Sequence, residues 1–304
     1  MIQVLVITGP TASGKSQLAY ELAEEVPLEV ISVDSAQVYR GFDIGSAKPD
    51  AEQQRKVRHH LIDIRDASNP YSAADFRADA VMLIEEILSR QRLPVLVGGS
   101  MLYIKALRDG IANLPAADPA IRSELIEEAE QYGWTSLHNR LKKIDPQAAS
   151  RIKAADKQRL QRALEVHRLT GQSMSQLLQQ GNQPCPFELT EIAIIPSDRK
   201  MLHLRIAERF DQMLARGLID EVINIRAMPG IDPELPALKS VGYRQVWNYL
   251  EGQCNFDEMR QRAIAATRQL AKRQYTWLRS WPDLAVLDKP NLAEVLKIVG
   301  AASI

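Results

Sequence analysis

Cysteine is nearly absent from the chain. Cys185 and Cys254 are the only two in 304 residues, and they lie far apart. That excludes a disulfide framework and a thiolate metal site, and it fits a reduced, cytoplasmic setting. Net charge is also missing: 38 Lys and Arg balance 38 Asp and Glu. There is no global attraction to nucleic acid, so any such role must rest on local patches. No apolar run approaches a membrane span, and the N-terminal apolar stretch is short and lacks a basic leader. No internal repeat or low-complexity tract occurs. No N-K-x-D guanine-reading motif is present, nor a run of four apolar residues ending in Asp-Glu. Those two absences argue against a GTPase and a motor ATPase. Hydrophobic residues make up 45% of the chain, enough for one large core or two smaller ones.

What is present begins at Gly9. Residues Gly9-Pro10-Thr11-Ala12-Ser13-Gly14-Lys15-Ser16 read G-x-x-x-x-G-K-S, a phosphate-gripping loop. The apolar run Val4–Ile7 precedes it as a strand, and Gln17–Ala23 follows as a helix. Gly9 and Gly14 let the backbone curl so that successive N–H groups point inward as an anion nest. The helix start adds its partial positive charge. Lys15 brings a full charge, and the Ser16 hydroxyl is a ligand for Mg²⁺. The motif requires a polyphosphate, not ATP in particular.

Short β-branched runs recur at Val30–Val33, Val95–Val97, Ile192–Ile195 and Leu284–Leu287, with a further short strand expected at Leu61–Ile64. Amphipathic segments separate them, so the expected fold class is α/β, a P-loop parallel sheet flanked by helices. Ser72-Ala73-Ala74-Asp75 predicts a capping box opening a helix to about Arg90. The strand at Val95 ends in Gly98-Gly99-Ser100, at the sheet edge where α/β proteins bind ligands. Between Pro-rich stretches, residues 113–187 carry no strand signal. They are expected to form an all-helical insertion domain, with 1–112 and 188–304 as the core.

Residues 138–168 carry nine basic residues (Arg140, Lys142, Lys143, Arg151, Lys153, Lys157, Arg159, Arg162, Arg168) against Asp145, Asp156 and Glu165. That excess is a candidate phosphate-backbone footprint, or simply a solvated helical face. A helix from Asp198 carries Arg205 and Arg209 four apart, able to reach an anion over the sheet edge or to form surface ion pairs. Another, from Phe256 to Trp281, mixes six basic residues with Tyr275 and Trp277, which suits RNA stacking or a plain core. Asp34 ends the second strand beside the loop. It can orient an N–H donor and take its proton, or merely cap a turn. From these residues alone the reading is a polyphosphate-dependent transferase, with a small-molecule kinase as the leading form. A non-catalytic RNA-binding protein is a third reading.

A set of ordered blocks narrows this. They are Gly9–Ser16, Asp34-Ser35-Ala36-Gln37-Val38-Tyr39, Asp43–Pro49, His59–Asp63 and Tyr71–Phe76, followed by Gly98–Tyr103, Val241-Gly242-Tyr243-Arg244-Gln245 and Thr267–Gln274. In this order they closely resemble the tRNA isopentenyltransferase family, over nearly the whole chain. The resemblance implies transfer of a dimethylallyl group from dimethylallyl diphosphate. The acceptor is the exocyclic amine of the adenosine 3′ of the anticodon, in tRNAs reading codons that begin with U. It implies that the loop holds diphosphate rather than ATP, with Mg²⁺. It implies Asp34 as orienter and general base, with Lys15, Ser100 and Arg209 as further active-site groups. The target base is flipped into a channel, with Ser35, Ala36 and Gln37 near it. Arg122, Gln158, Arg159, Leu160, Gln161, Arg162, Val241–Gln245, Lys272 and Arg273 would face the anticodon stem-loop. Ser16 and Ser100 stand where many members have Thr, which keeps both hydroxyls. Met101 stands where some relatives have glycine. The chain resembles the shorter form without a C-terminal zinc finger, and nothing in it demands more than a monomer.

Overall fold

The computed structural model describes residues 4–112, 114–179 and 183–301. Asn113, Gly181 and Asn182, in the expected interdomain stretches, lie outside the described residues. The chain starts with β1 (Val4–Thr8), α1 (Lys15–Glu25), β2 (Leu28–Val33), α2 (Ala51–Lys56), β3 (His59–His60), α3 (Ala73–Ser89), β4 (Leu93–Gly98) and α4 (Met101–Asp109). Five helices follow: α5 (Pro119–Tyr132), α6 (Trp134–Ile144), α7 (Pro146–Arg151), α8 (Lys157–Thr170) and α9 (Met174–Gln179). Then come β5 (Leu189–Ile194), α10 (Arg199–Ala215), α11 (Leu218–Arg226), α12 (Tyr243–Leu250), α13 (Phe256–Arg279), β6 (Ala285–Leu287) and α14 (Leu292–Ala301).

The six strands form one sheet in the order β3-β2-β4-β1-β5-β6, and every pairing is parallel. β1 sits between β4 and β5, with Ile7 opposite Val97 on one side and Ile192 on the other. Its residues are all buried. Val4 and Val6 join the core on one sheet face, while Leu5 and Ile7 join the core on the other. A continuous apolar run is what a strand covered on both faces requires. The carboxyl ends of β1, β2 and β4 therefore meet at one edge, and the loops that leave them build the site.

Several local expectations hold with their causes visible. Ser72 caps α3, and Asp75 returns the bond to the Ser72 N–H. The Asp198 side chain caps α10 by accepting from the Lys200 and Met201 amides. One expectation does not hold. The strand expected at Leu61–Ile64 is formed instead by His59–His60, which pair with Val30 and Ile31. Leu61 and Asp63 adopt φ of 62° and 56°, a left-handed backbone that ends the ladder.

The chain divides into two compact units, residues 109–184 and the remainder. The smaller unit contains α5–α9 around a core of Leu125, Leu137, Leu141, Leu160 and Leu164. No helix among the described residues is long and apolar enough to cross a membrane.

Candidate active site

The phosphate loop leaves β1 at Gly9 and enters α1 at Lys15. Gly9, Ala12 and Gly14 have φ of 148°, 62° and 95°. Glycine is required at Gly9, because a Cβ there would come within 2.4 Å of the Ile194 carbonyl oxygen. Ala12 tolerates the left-handed well at a cost of about 1 kcal/mol. The alternation of backbone hands turns amides toward one concavity, an arrangement that favours an anion.

Lys15 and Arg209 face this concavity. The Lys15 ammonium donates to the Pro10 carbonyl at 2.7 Å. Burial pulls its pKa from 10.5 down to about 7, the neighbouring Arg209 charge adds to the fall, and Asp34 opposes it. Burial also draws the Arg209 guanidinium below its ordinary value, again against the pull of Asp34. An arginine nevertheless stays charged at neutral pH. Arg209 has no ion pair or hydrogen bond among the described residues. Two cations, neither with an ion-pair partner among the described residues, thus stand beside a nest of amides. The Ser13 hydroxyl is buried there with no hydrogen-bond partner among the described residues. A smaller hollow of about 320 Å³ is bordered by Ser13, Gly14, Lys15, Ser16, Arg205 and Arg209.

On the other wall β2 ends at Asp34. Its Oδ1 accepts from the Ala36 amide at 2.8 Å and the Gln37 amide at 3.3 Å. The carboxylate therefore caps its own turn, the plainer of its two expected roles, and that turn fixes the side chain. Ser100, on the turn after β4, accepts the Ser35 N–H at 3.1 Å through its Oγ. A hydroxyl that accepts keeps its own hydrogen to donate. Asp34, Lys15, Ser100 and Arg209 all line one cavity of about 820 Å³. Its apolar lining includes Val97, Met101, Ile206, Phe210, Met213 and Trp277.

The structure assigns several expected contact residues to other work. Tyr243 is 0% exposed, so its side chain does not face a ligand. Its hydroxyl donates to Glu221 at 2.7 Å and accepts from the Ser46 amide at 3.1 Å. Glu221 in turn accepts the amides of Asp43, Ile44 and Gly45. Gly242 is buried as well, while Val241, also at the cavity wall, and Gln245 are partly buried and Arg244 is exposed. Gln245 caps α12 by accepting the Gly242 amide. Gln37 uses its whole carboxamide internally: Ser32 donates to its oxygen, and its nitrogen donates to the Ser46 and Ala47 carbonyls. Ala36 is buried, and Ser35 is exposed.

In the helical unit Leu160 is 0% exposed and belongs to the core, which overturns its expected place at an RNA surface. Arg122 and Arg162 clamp the buried Glu165 carboxylate at 2.9 Å and 2.8 Å. Arg162 also donates to the Pro115 carbonyl, and Gln161 to that of Arg122. Arg140 and Arg168 pair with Glu128. The local basic excess is thus partly neutralised by acids of α5. Gln158 and Arg159 remain exposed, Arg159 with an ion pair to Asp156 at 3.4 Å.

In α13 Tyr275 is core, donating to the Pro196 carbonyl at 2.6 Å. Trp277 is 37% exposed, and Lys272 and Arg273 are exposed. Sequence reasoning assigned nothing to Glu221, Gln274 or Lys48. Lys48 is buried and bridges Asp43 and Asp63, each at 2.5 Å. Asp43, five residues before it in the sequence, was the available signal for Lys48. Glu221 offered none.

Fold and loop together define a protein of the P-loop class. A family model described as IPP transferase matches residues 37–281. The tRNA dimethylallyltransferase of Bordetella pertussis is 52% identical over 288 residues, which cover 94% of this chain and 92% of that protein. A tRNA dimethylallyltransferase of Bordetella parapertussis agrees to the same extent. Among solved structures, the full-length tRNA isopentenylpyrophosphate transferase of Bacillus halodurans aligns with a TM-score of 0.69 at 37% identity, covering 98% of this chain and 95% of that one. A eukaryotic dimethylallyltransferase acting on tRNA aligns with a TM-score of 0.77 at 25% identity, covering 100% of this chain and 77% of the other. The chain belongs to the IPP transferase family.

Proposed function

We propose that the chain is a tRNA dimethylallyltransferase that moves a dimethylallyl group from dimethylallyl diphosphate to the exocyclic amine of an adenosine. That adenosine lies 3′ of the anticodon, in tRNAs that read codons beginning with U. The observation that carries this reading is one cavity with two faces. Lys15 and Arg209 border it on the phosphate-loop side, and the Asp34 carboxylate borders it on the other. An anionic leaving group needs the first face, and an N–H nucleophile needs the second.

The bond changes follow from that polarity. The allylic carbon–oxygen bond breaks, and its electron pair leaves with the diphosphate. The loop amides, Lys15 and Arg209 stabilise the charge that gathers there. The adenine amine forms the new carbon–nitrogen bond. Asp34, held by the Ala36 and Gln37 amides, orients that amine and takes the proton it releases. A carboxylate is a weak base, so the proton moves late, once carbon–nitrogen bonding has made the nitrogen acidic. The Ser100 hydroxyl is free to donate toward the diphosphate.

The donor set suits Mg²⁺. No cluster of three or more His, Cys, Asp or Glu forms a metal cage among the described residues. Mg²⁺ bound to diphosphate keeps most of its waters and asks the protein for few ligands. Ser16, exposed at the start of α1, would supply a hydroxyl to hold the ion. When bound, the ion neutralises charge on the departing diphosphate.

A base held in single-stranded RNA enters such a cavity more cheaply than a stacked one, which favours the anticodon loop. Exposed Arg273, partly exposed Trp277 and exposed Lys272 are the groups nearest to hand for stacking and phosphate contact. In the helical unit exposed Gln158 and Arg159 remain for the RNA backbone. A monomer in a cytoplasmic setting completes the reading. Mass spectrometry of tRNA incubated with dimethylallyl diphosphate, Mg²⁺ and the protein tests it. The adenosine should gain one five-carbon prenyl unit. An unchanged nucleoside, or phosphoryl transfer from labelled ATP to a nucleoside, would overturn it.

A further inference from the structure

Gln274 is a buried polar side chain that the reaction described above does not use. It lies on α13 at 6% exposure, between exposed Arg273 and buried Tyr275. Its carboxamide oxygen accepts the Thr11 amide of the phosphate loop at 3.0 Å. Its nitrogen donates to the Gly99 carbonyl of the turn after β4 at 2.9 Å. Those two loops leave different strands, and no other side chain among the described residues bonds both. The fit is close: a Cβ on Gly99 would come within 2.4 Å of the Gln274 nitrogen and 3.2 Å of the Gly9 carbonyl oxygen.

The bonds continue beyond Gly99. Its neighbour Ser100 holds the Ser35 amide, and Ser35 follows Asp34. One hydrogen-bonded rim therefore runs from the phosphate loop to the carboxylate, and Gln274 joins the phosphate loop to the turn after β4. Gln274 also takes the Thr11 amide out of the nest, while Ser13 donates its amide to the Pro10 carbonyl. The amides left for an anion are then concentrated at the start of α1, where helix N–H groups lack partners. A buried carboxamide costs free energy unless both of its ends are bonded. An apolar side chain of the same length would pack here without that requirement, so the core does not explain the residue.

We propose that Gln274 is a positioning residue. It sets the register between the phosphate loop and the turn bearing Ser100, and so the separation between the leaving diphosphate and the amine held by Asp34. The inference rests on the prenyl-transfer reading above. Misplacement of reacting groups by about 1 Å costs on the order of a hundredfold in rate.

The test measures single-turnover transfer from dimethylallyl diphosphate to an anticodon stem-loop for the unaltered chain, Gln274→Met and Gln274→Glu, alongside diphosphate binding and thermal unfolding. For Gln274→Met, turnover should fall about thirtyfold, while diphosphate affinity changes by less than about threefold. Gln274→Glu is the sharper probe. A carboxylate accepts from Thr11 but repels the Gly99 carbonyl, whereas a protonated carboxyl reproduces both bonds. Relative to the unaltered chain at the same pH, its turnover should be low near about pH 8 and recover about tenfold near about pH 6, since burial raises a carboxyl pKa. A merely structural role would shift the unfolding temperature of Gln274→Glu with pH but leave the turnover of its folded fraction unaltered. Turnover of Gln274→Met within about twofold of the unaltered chain overturns the inference, as does a Gln274→Glu deficit that is the same at both pH values. If Gln274→Met does not fold, the pH profile of Gln274→Glu decides alone. An unaltered chain that transfers no prenyl group overturns the donor reading itself, and this inference with it.

Discussion

Arg209 and Arg162 are both partly buried arginines, and they stand for two uses of charge. Arg162, in the helical unit, has Glu165 at 2.8 Å and the Pro115 carbonyl, with Arg122 gripping the same carboxylate. Burial opposes ionisation of Glu165, but hydrogen bonds from the two arginines outweigh it and hold the carboxyl below its ordinary range. That charge is spent on the fold. Arg209 and Lys15, beside the phosphate loop, have no ion-paired carboxylate among the described residues, and burial works against the charge of both. Uncompensated cations destabilise a folded chain until an anion arrives. The difference separates charges paired within the fold from charges left without a carboxylate partner among the described residues. Composition cannot make that separation, because both kinds count equally.

The contrast breaks most sharply at the site. Asp34→Ala should lower single-turnover transfer about a thousandfold while the variant stays folded and still binds tRNA. Near-normal turnover would remove Asp34 from the chemistry. Lys15→Met comes next, and its effects have opposite signs. Transfer should fall about a hundredfold for want of charge at the leaving group. Stability at neutral pH should rise. The unfolded chain holds the Lys15 proton up to 10.5 and the folded chain only up to about 7. Between those values the unfolded state binds more protons, so stability increases with pH across the window. Lys15→Met should remove that slope, and urea melts at about pH 7 and about pH 9 would detect it. A variant that melts earlier than the unaltered chain at neutral pH would show that Lys15 is already compensated.

Glu165→Ala is the matching change in the helical unit, and it should cost about 3 kcal/mol because it leaves two arginines facing each other. The measurement is denaturant unfolding. The loss should shrink as pH falls through the carboxylate range, since the unaltered chain loses the same ionised group there. A variant as stable as the unaltered chain would mean that the clamp adds nothing beyond packing.

The legibility of these two regions in sequence differed for a physical reason. The phosphate loop, β1 and the first helix were readable because backbone geometry there depends on local residues: Gly9, Gly14 and an apolar run. Ser72 and Asp198 announced their helices in the same way. Leu61–Ile64 misled because its β-branched pattern is interrupted by left-handed turns at Leu61 and Asp63, and leucine does not signal that conformation, although aspartate tolerates it. The basic count over 138–168 misled more. It omitted Glu124 and Glu128, one helix earlier, which neutralise Arg140 and Arg168. Tyr243 and Leu160 were placed at an RNA surface because the family resemblance carried over whole blocks, although both side chains are buried. Partnering over long range is a property of the fold, and no window of sequence contains it.

The smallest expected effect sharpens that last point. If paired arginines are spent, the helical unit should owe its salt-dependent tRNA affinity to the cations without partners. Lys142, Lys143 and Lys153 are exposed and form no ion pair among the described residues. Each phosphate that goes unneutralised should reduce the slope of log affinity against log salt by about 0.7 to 0.9. Replacing all three by Ser should therefore flatten the slope by about two if they touch phosphate, with little change in turnover at saturating tRNA. Replacing Arg140 and Arg168, whose charges face Glu128, should leave the slope nearly unchanged and lower stability instead. Filter binding across a salt series distinguishes the two sets. Equal slopes in both variants would mean that pairing with Glu128 does not withdraw a cation from the RNA, and the division between paired and unpaired charge would fail in the helical unit.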